Sequence, residues 1–315
     1  MSIVRRVFYS IIRIFAKLIF TIFYRDHGAF HRENFPRDDG TPILFIAAPH
    51  GNFLMDAITI FVACPRQMYF LSAKSNFNYP IFGTIITILG CIPVTRPQDV
   101  ERVNGDGLVK VIDEGKMVTG EGLGKILQVG DTLYVEFEGP NNNEMLKEAS
   151  GTVEEIMNDD LVRIKEPDIP TTYSYTHMPP NSEVYSAVYN HFSKSQCVAI
   201  FPEGTSHDNE HMLSLKYGCA VMSLGYLASK EPDAFGKERK LKLVPCGLNF
   251  FNRHRFRSRV FVDVGHPIEI EQRLVDLYRS GGEGKRQACQ ELLKTIQTSL
   301  TELTVNAPDY NTLLF

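Results

Sequence analysis

"CVAIFPEGTSHDNEH" occupies residues 197–211. A short apolar run closed by turn residues predicts a buried strand over 197–201. The Pro202-Glu203-Gly204-Thr205 turn then sets one carboxylate at the strand's carboxyl end, where α/β sheets tend to bind ligands. The same grammar recurs on either side. Residues 42–48 are apolar and end at Pro49-His50, residues 67–71 precede Lys74, and residues 90–94 precede Arg96. Residues 242–249 and 259–264 read as further strands. Helical spacing is found over 52–63, 81–89, 184–193, 213–228 and 287–304, and residues 268–280 begin with helix signals. Strands alternating with helices predict an α/β fold: a mixed, largely parallel sheet flanked by helices.

Two segments depart from that alternation. Residues 105–170 hold many glycines, Gly-Asp and Asn turns and short alternating runs such as 132–137 and 161–164. They read as a small β insertion, which leaves 25–104 and 171–305 as the α/β domain. Residues 1–24 are mostly apolar, yet Arg6, Ser10, Arg13, Lys17 and Thr21 recur at helical steps and form one polar stripe. Arg13 and Lys17 inside the run disfavour a lipid-exposed span. A membrane-associated amphipathic helix lying in the interface fits this pattern, and a core-packing helix is the other reading.

The bulk numbers exclude several classes. Apolar residues make up 43% of 315 positions, enough for a core and too many for global disorder. The formal net charge of -4 argues against a globally basic nucleic-acid binder. Six scattered cysteines without C-x-x-C spacing suit buried free thiols, not a zinc ribbon.

Four blocks carry candidate chemistry. In "APHGNFLMDA" (residues 48–57) His50 and Asp56 suggest a base and the acid that orients it, the acid fixing one imidazole nitrogen so that the other takes a proton. Six positions apart, they do not share a helical face, so a turn around Gly51–Phe53 must join them. In "GCIPVTRPQD" (residues 90–99) Arg96 suits a phosphate or carboxylate, with Lys74 as a second cation; a surface pair between Arg96 and Asp99 is the alternative. In the opening stretch Glu203 could hold a substrate hydroxyl, Gly204 lets a ligand approach the backbone, and Thr205 lies beside them. His207 and His211 stand at i, i+4, but no H-E-x-x-H pattern or third metal ligand accompanies them. The fourth block, "LVPCGLNFFNRHRFRSRVFVDVG" (residues 243–265), ends a strand in His254, Arg255, Arg257 and Arg259, either a headgroup surface or a solvated loop. The glycines at 120, 122 and 124 fail the phosphate-loop pattern, with Thr119 and Ile126 at the positions that decide it.

Taken in order, the four blocks resemble the glycerolipid acyltransferase family, most closely its fungal-type glycerol-3-phosphate/dihydroxyacetone-phosphate members. "PHGNFLMD", "GCIPVTR", "FPEGTSHD" and "VPCGLNF", with "SHDNEHMLSLKYG" and "HRFRSRV" as continuations, carry the resemblance over about residues 42–270. Five residues separate His50 from Asp56 where the wider family has four; the fungal-type group shares the longer spacing. The resemblance implies an enzyme that moves an acyl chain from acyl-CoA to glycerol 3-phosphate or dihydroxyacetone phosphate, yielding lysophosphatidate in the first step of phospholipid synthesis. Transfer to lysophosphatidate, or an inactive membrane-binding fold, are the alternatives. It further implies catalysis by His50 and Asp56, acceptor binding by Lys74, Arg96, Glu203, Gly204 and Thr205, and no cofactor beyond acyl-CoA as co-substrate. The expected setting is a lipid membrane, that of the endoplasmic reticulum, with the site facing the cytosol.

Overall fold

The structure is a computed structural model. It describes residues 3–95, 103–104, 109–112, 117–127, 132–137, 147–152, 155–158, 161–163, 173–176, 182–207, 209, 212–229, 240–252 and 255–304. The chain divides into two compact units: Met1–Ser72, Pro80–Ile92 and Ser182–Phe315 form the larger, Ala73–Tyr79 and Pro93–Asn181 the smaller.

In chain order the elements of the main sheet and its helices are α1 (Ile3–Phe23), β1 (Tyr24–Phe30), β2 (Ile43–Ala48), α2 (Phe53–Ala63), β3 (Met68–Ala73), α3 (Pro80–Leu89), β4 (Ile92–Val94), α4 (Ser182–Ser193) and β5 (Cys197–Ile200). They continue with α5 (Gly218–Ala228), β6 (Lys242–Phe251), β7 (Ser258–Val264), β8 (Ile268–Glu269), α6 (Gln272–Arg279) and α7 (Gly282–Leu303). The sheet runs β1-β7-β6-β2-β5-β3-β4, with β8 paired on β6. β2 pairs in parallel with β5 and β6, β3 with β5, and β1 with β7, while β6 runs antiparallel to β7 and β8. The fold is therefore mixed α/β with a largely parallel sheet, as expected.

β2 shows why the sheet lies in the middle. Every one of its residues is buried, and successive side chains point to opposite faces. Leu44, Ile46 and Ala48 pack with Val188 and Phe192 of α4, Tyr226 of α5 and Leu292, Ile296 and Leu300 of α7. Ile43, Phe45 and Ala47 join Tyr9 and Phe20 of α1 and Ile60 and Phe61 of α2 on the other face. Gly247 in β6 admits the end of α7: a Cβ there would lie 2.2 Å from the Leu303 carbonyl oxygen.

The smaller unit is built of strands. One antiparallel sheet orders Glu155–Asn158, Leu161–Arg163, Met117–Thr119 and Lys110–Ile112; a second orders Val103–Asn104, Tyr173–Thr176, Thr132–Phe137 and Lys147–Thr152. Val109, Val118, Leu123, Leu127, Leu133 and Val162 form its buried cluster.

Two local expectations give way to tertiary context, and one strand forms where the sequence signals none. The helix expected over 213–228 starts only at Gly218, because the backbone before it is already committed: Leu213 N–H donates to Glu203 and Lys216 N–H to the Pro202 carbonyl. Residues 24–30, whose composition signals no strand, form β1 by pairing with β7. Residues 268–269 form β8 ahead of α6.

α1 packs one side on the core and leaves an apolar arc exposed. Tyr9 and Phe20 are buried, and Ile12 and Ala16 pack beside them against the core. Tyr9 stacks edge-on against Phe61 at 5.1 Å, and its hydroxyl oxygen accepts the Met68 backbone N–H at 3.1 Å. Arg13 leaves the polar stripe and turns inward, donating to the Cys64 and Val62 carbonyls at the end of α2, where a helix leaves acceptors unpaired. Arg6, Ser10, Lys17 and Thr21 remain exposed. The other arc of the helix, including Val7, Ile11, Ile14, Phe15, Leu18 and Ile22, is apolar and exposed, Ile14 by 70%. No helix among the described residues is long and apolar enough to cross a membrane.

Phe20→Ala should cost about 3–5 kcal/mol in urea unfolding, as for a large buried aromatic. Ile14→Ala should stay within about 0.5 kcal/mol. Equal, small effects would mean that α1 does not dock on this core.

Candidate active site

β2 ends at Ala48, and Pro49 turns the chain into His50 before α2 begins at Phe53 with Asn52 as its N-cap. His50 thus lies outside the helix while Asp56 sits in its first turn, which resolves the six-residue spacing. Asp56 Oδ2 accepts from His50 Nδ1 at 2.8 Å and from the Asn52 backbone N–H at 2.8 Å. The second bond satisfies one of the donors that a helix start leaves open. Asp56 is completely buried and the His50 side chain nearly so. Because a carboxylate can only accept, Nδ1 carries the proton and Nε2 is left as the basic nitrogen. The Tyr24 phenol is pushed above its ordinary range by burial first and by the Asp56 charge second, so it stays neutral.

The turn after β5 closes on His50. The rings of Phe201 and His50 stack at 4.2 Å between centroids, 11° apart. Glu203, 1% exposed, takes the His50 backbone N–H on Oε2 at 2.5 Å. Its Oε1 accepts the Leu213 N–H at 2.7 Å and His207 Nε2–H at 2.8 Å. His207 N–H in turn donates to the His50 carbonyl at 2.9 Å, and the Asn209 N–H donates to His207 Nδ1 at 3.2 Å. A buried carboxylate is tolerated only with such compensation. Both backbone groups of His50 are therefore held by the loop that follows β5.

The expected site residues fall into groups. The structure brings His50, Asp56 and Glu203 together. Glu203, expected to meet a substrate hydroxyl, instead has both oxygens engaged by groups of its own chain. Gly204 is the left-handed residue of the turn, φ 75°, with its N–H on the Phe201 carbonyl. A Cβ there would come to 3.3 Å from Lys216 Cγ. Thr205 is exposed. Lys74 is exposed at the start of the 3-10 turn Lys74–Asn78, in the smaller unit. Arg96 lies outside the described residues, as do Asp208, His211 and His254.

Phe201 and His207 are the positioning groups that sequence reasoning missed. By sequence Phe201 is the end of an apolar strand, and His207 stands at metal-ligand spacing from His211. The i, i+4 spacing of Glu203 and His207 was the available signal. Among the described residues no group of three or more His, Cys, Asp or Glu side chains could hold a metal ion. All six cysteines are free. Burial pushes Cys64 up to about 11 and Cys197 up to about 12, which makes them poor nucleophiles.

The chain is similar to several known proteins. The acyltransferase family model matches residues 29–159. Glycerol-3-phosphate O-acyltransferase 1 of Saccharomyces cerevisiae is 33% identical over 99% of this chain and 41% of its own. Glycerol-3-phosphate O-acyltransferase 2 of the same yeast is 28% identical over 94% of this chain and 42% of its own. The chain spans about two-fifths of the length of these relatives. Among solved structures, the 1-acyl-sn-glycerophosphate (LPA) acyltransferase PlsC of Thermotoga maritima superposes with a TM-score of 0.47 and 14% identity, over 93% of this chain and 80% of that one.

Glu203→Ala strands three donors, His50 N–H, Leu213 N–H and His207 Nε2–H. At roughly 1–3 kcal/mol for each buried donor left unpaired, it should lower unfolding free energy by about 3 kcal/mol or more. Thr205→Ala, on the exposed side of the same turn, should stay within about 0.5 kcal/mol. A silent Glu203→Ala would mean that the carboxylate faces an open pocket instead of the chain.

Proposed function

The chain carries a domain of the acyltransferase family, and on that premise we propose that it transfers an acyl chain from acyl-CoA to a hydroxyl of glycerol 3-phosphate or dihydroxyacetone phosphate. With glycerol 3-phosphate the product is lysophosphatidate. The observation that carries this reading is the buried His50–Asp56 pair, whose Nε2 is left as the basic nitrogen. The names of the yeast relatives support the acceptor class.

His50 Nε2 takes the proton of the acceptor hydroxyl as its oxygen attacks the thioester carbonyl carbon. Asp56 holds the ring in the required tautomer and balances the imidazolium that forms, in the manner of a serine-protease triad whose nucleophile is here the substrate itself. The carbonyl π electrons move to oxygen and return as the carbon–sulfur bond breaks. The departing CoA thiolate receives the proton from His50, which restores the neutral imidazole. No covalent enzyme intermediate is required. By sequence resemblance, Arg96 and Lys74 are the cations for the acceptor's phosphate, a role in which a guanidinium binds two oxygens at once.

The reaction is assigned to a membrane surface, in a eukaryotic cell that of the endoplasmic reticulum. The exposed apolar arc of α1, flanked by Arg6 and Lys17, supports this: such a helix lies in the interface with its cations reaching the headgroups.

Two measurements test the reading. Labelled palmitoyl-CoA is offered with glycerol 3-phosphate, dihydroxyacetone phosphate or lysophosphatidate, and His50→Ala serves as the blank. Label should enter lysophosphatidate from glycerol 3-phosphate, and Asp56→Asn should lower kcat by on the order of a thousandfold or more. Label entering only phosphatidate moves the acceptor to lysophosphatidate, and His50-independent transfer sinks the mechanism. For the membrane, the Ile14→Asp/Leu18→Asp double variant should float with anionic vesicles several-fold less than the parent, at an unchanged unfolding midpoint. Undiminished flotation removes α1 from the membrane contact.

A further inference from the structure

Phe201 is half-buried at the end of β5, and its ring lies flat on that of His50, 4.2 Å away and 11° from parallel. Its backbone is fixed on one side by β5, which pairs with β2 and β3, and on the other by the turn in which Gly204 N–H donates to the Phe201 carbonyl. The ring also packs against the core cluster beneath the sheet. A leucine would fill such a place equally well if filling were all that it required.

We propose that Phe201 supports proton transfer by presenting its π face to His50, stabilising the imidazolium more than the neutral imidazole. The proposal rests on the reading of His50 as the general base. An aromatic face attracts a cation lying over it, and the attraction strengthens where water is excluded. His50 is neutral before transfer and positive during it, so this contact is stronger in the transition state than in the ground state, the condition for acceleration. The charged groups around the ring fit the assignment. Asp56, from α2, occupies Nδ1; Glu203 is spent on the His50 backbone, and His207 on Glu203 and the His50 carbonyl. A phenyl face supplies the stabilisation from above the ring plane, without placing a further charge beside the imidazole. Phe201 is thus a positioning residue that acts through His50.

The test exploits fluorination, which drains the π face progressively while changing ring size little. The full chain is prepared with 4-fluoro-, 3,5-difluoro- and 3,4,5-trifluorophenylalanine at position 201. Single-turnover transfer from palmitoyl-CoA is measured with the acceptor that gives His50-dependent product. The logarithm of the rate should fall stepwise with each fluorine, reaching about tenfold at three, with KM for both substrates unchanged. Phe201→Tyr should retain the rate, and Phe201→Leu should fall at least as far as the trifluoro variant. The same analogues at Phe192, in the cluster on the other face of the sheet, should leave the rate unchanged. A flat series with intact His50-dependent transfer overturns this proposal alone, as does an equal fall at Phe201 and Phe192, which would report packing. Absence of His50-dependent transfer to any acceptor overturns the general-base reading and this proposal with it.

Discussion

The bond on which the site depends joins the carboxylate of Glu203 to the backbone N–H of His50, 2.5 Å apart and sealed from water. A buried carboxylate must find donors, and Glu203 draws them from three separate stretches: His50 after β2, His207 in its own turn and Leu213 further on. β2 and β5 are parallel neighbours with Ile46 opposite Ile200, so the loops that leave them emerge side by side. Strand pairing brings the loops near each other, and the carboxylate fixes their relative position to within a hydrogen bond. The His50 imidazole is then held on its Nδ1 edge by Asp56 and across its face by Phe201. The ring is thus held at backbone, edge and face, the preorganisation that the proposed role of His50 as a base calls for.

The same economy of parts governs α1. Its buried side, through Tyr9 and Phe20, completes the core beneath β2, and its Arg13 closes the end of α2, the helix whose first turn carries Asp56. Burial pushes the Tyr9 phenol up to about 12, so it remains the neutral acceptor that the Met68 N–H needs. The exposed apolar arc is thus mounted on a helix that packs into the core of the larger unit.

Much of this was legible from residue order. The apolar runs at 42–48 and 197–201, each closed by proline and followed by polar residues, announced two strands with chemistry at their carboxyl ends. Both are there, because a doubly covered parallel strand has few other ways to bury such a run. Side-chain chemistry suggested His50 and Asp56 as a pair, and the resemblance of the four blocks to a known family singled them out. The exact helix start at Gly218 was not legible, since residues 213–217 hold a helical pattern that local propensity cannot distinguish from a loop. Their backbone donors were claimed by Glu203 and Pro202, which stand ten and more residues earlier. β1 escaped notice for the converse reason: its sequence has little strand character, and pairing with β7, more than 200 residues away, creates it.

The sequence by itself determined the alternation of strands and helices, the short strands of the glycine-rich segment, most of the polar stripe of the first helix and the choice of His50 and Asp56 as partners. These depend on periodicity and on residue type, which are local properties. Only the tertiary structure decided that Glu203 grips the chain, that Phe201 lies under His50, that His207 is a clamp and that Arg13 turns inward. Each of these is a choice of partner across tens to hundreds of residues. Such choices are settled by which buried polar group or ring face lies within reach once the sheet has formed, and no local pattern encodes that reach.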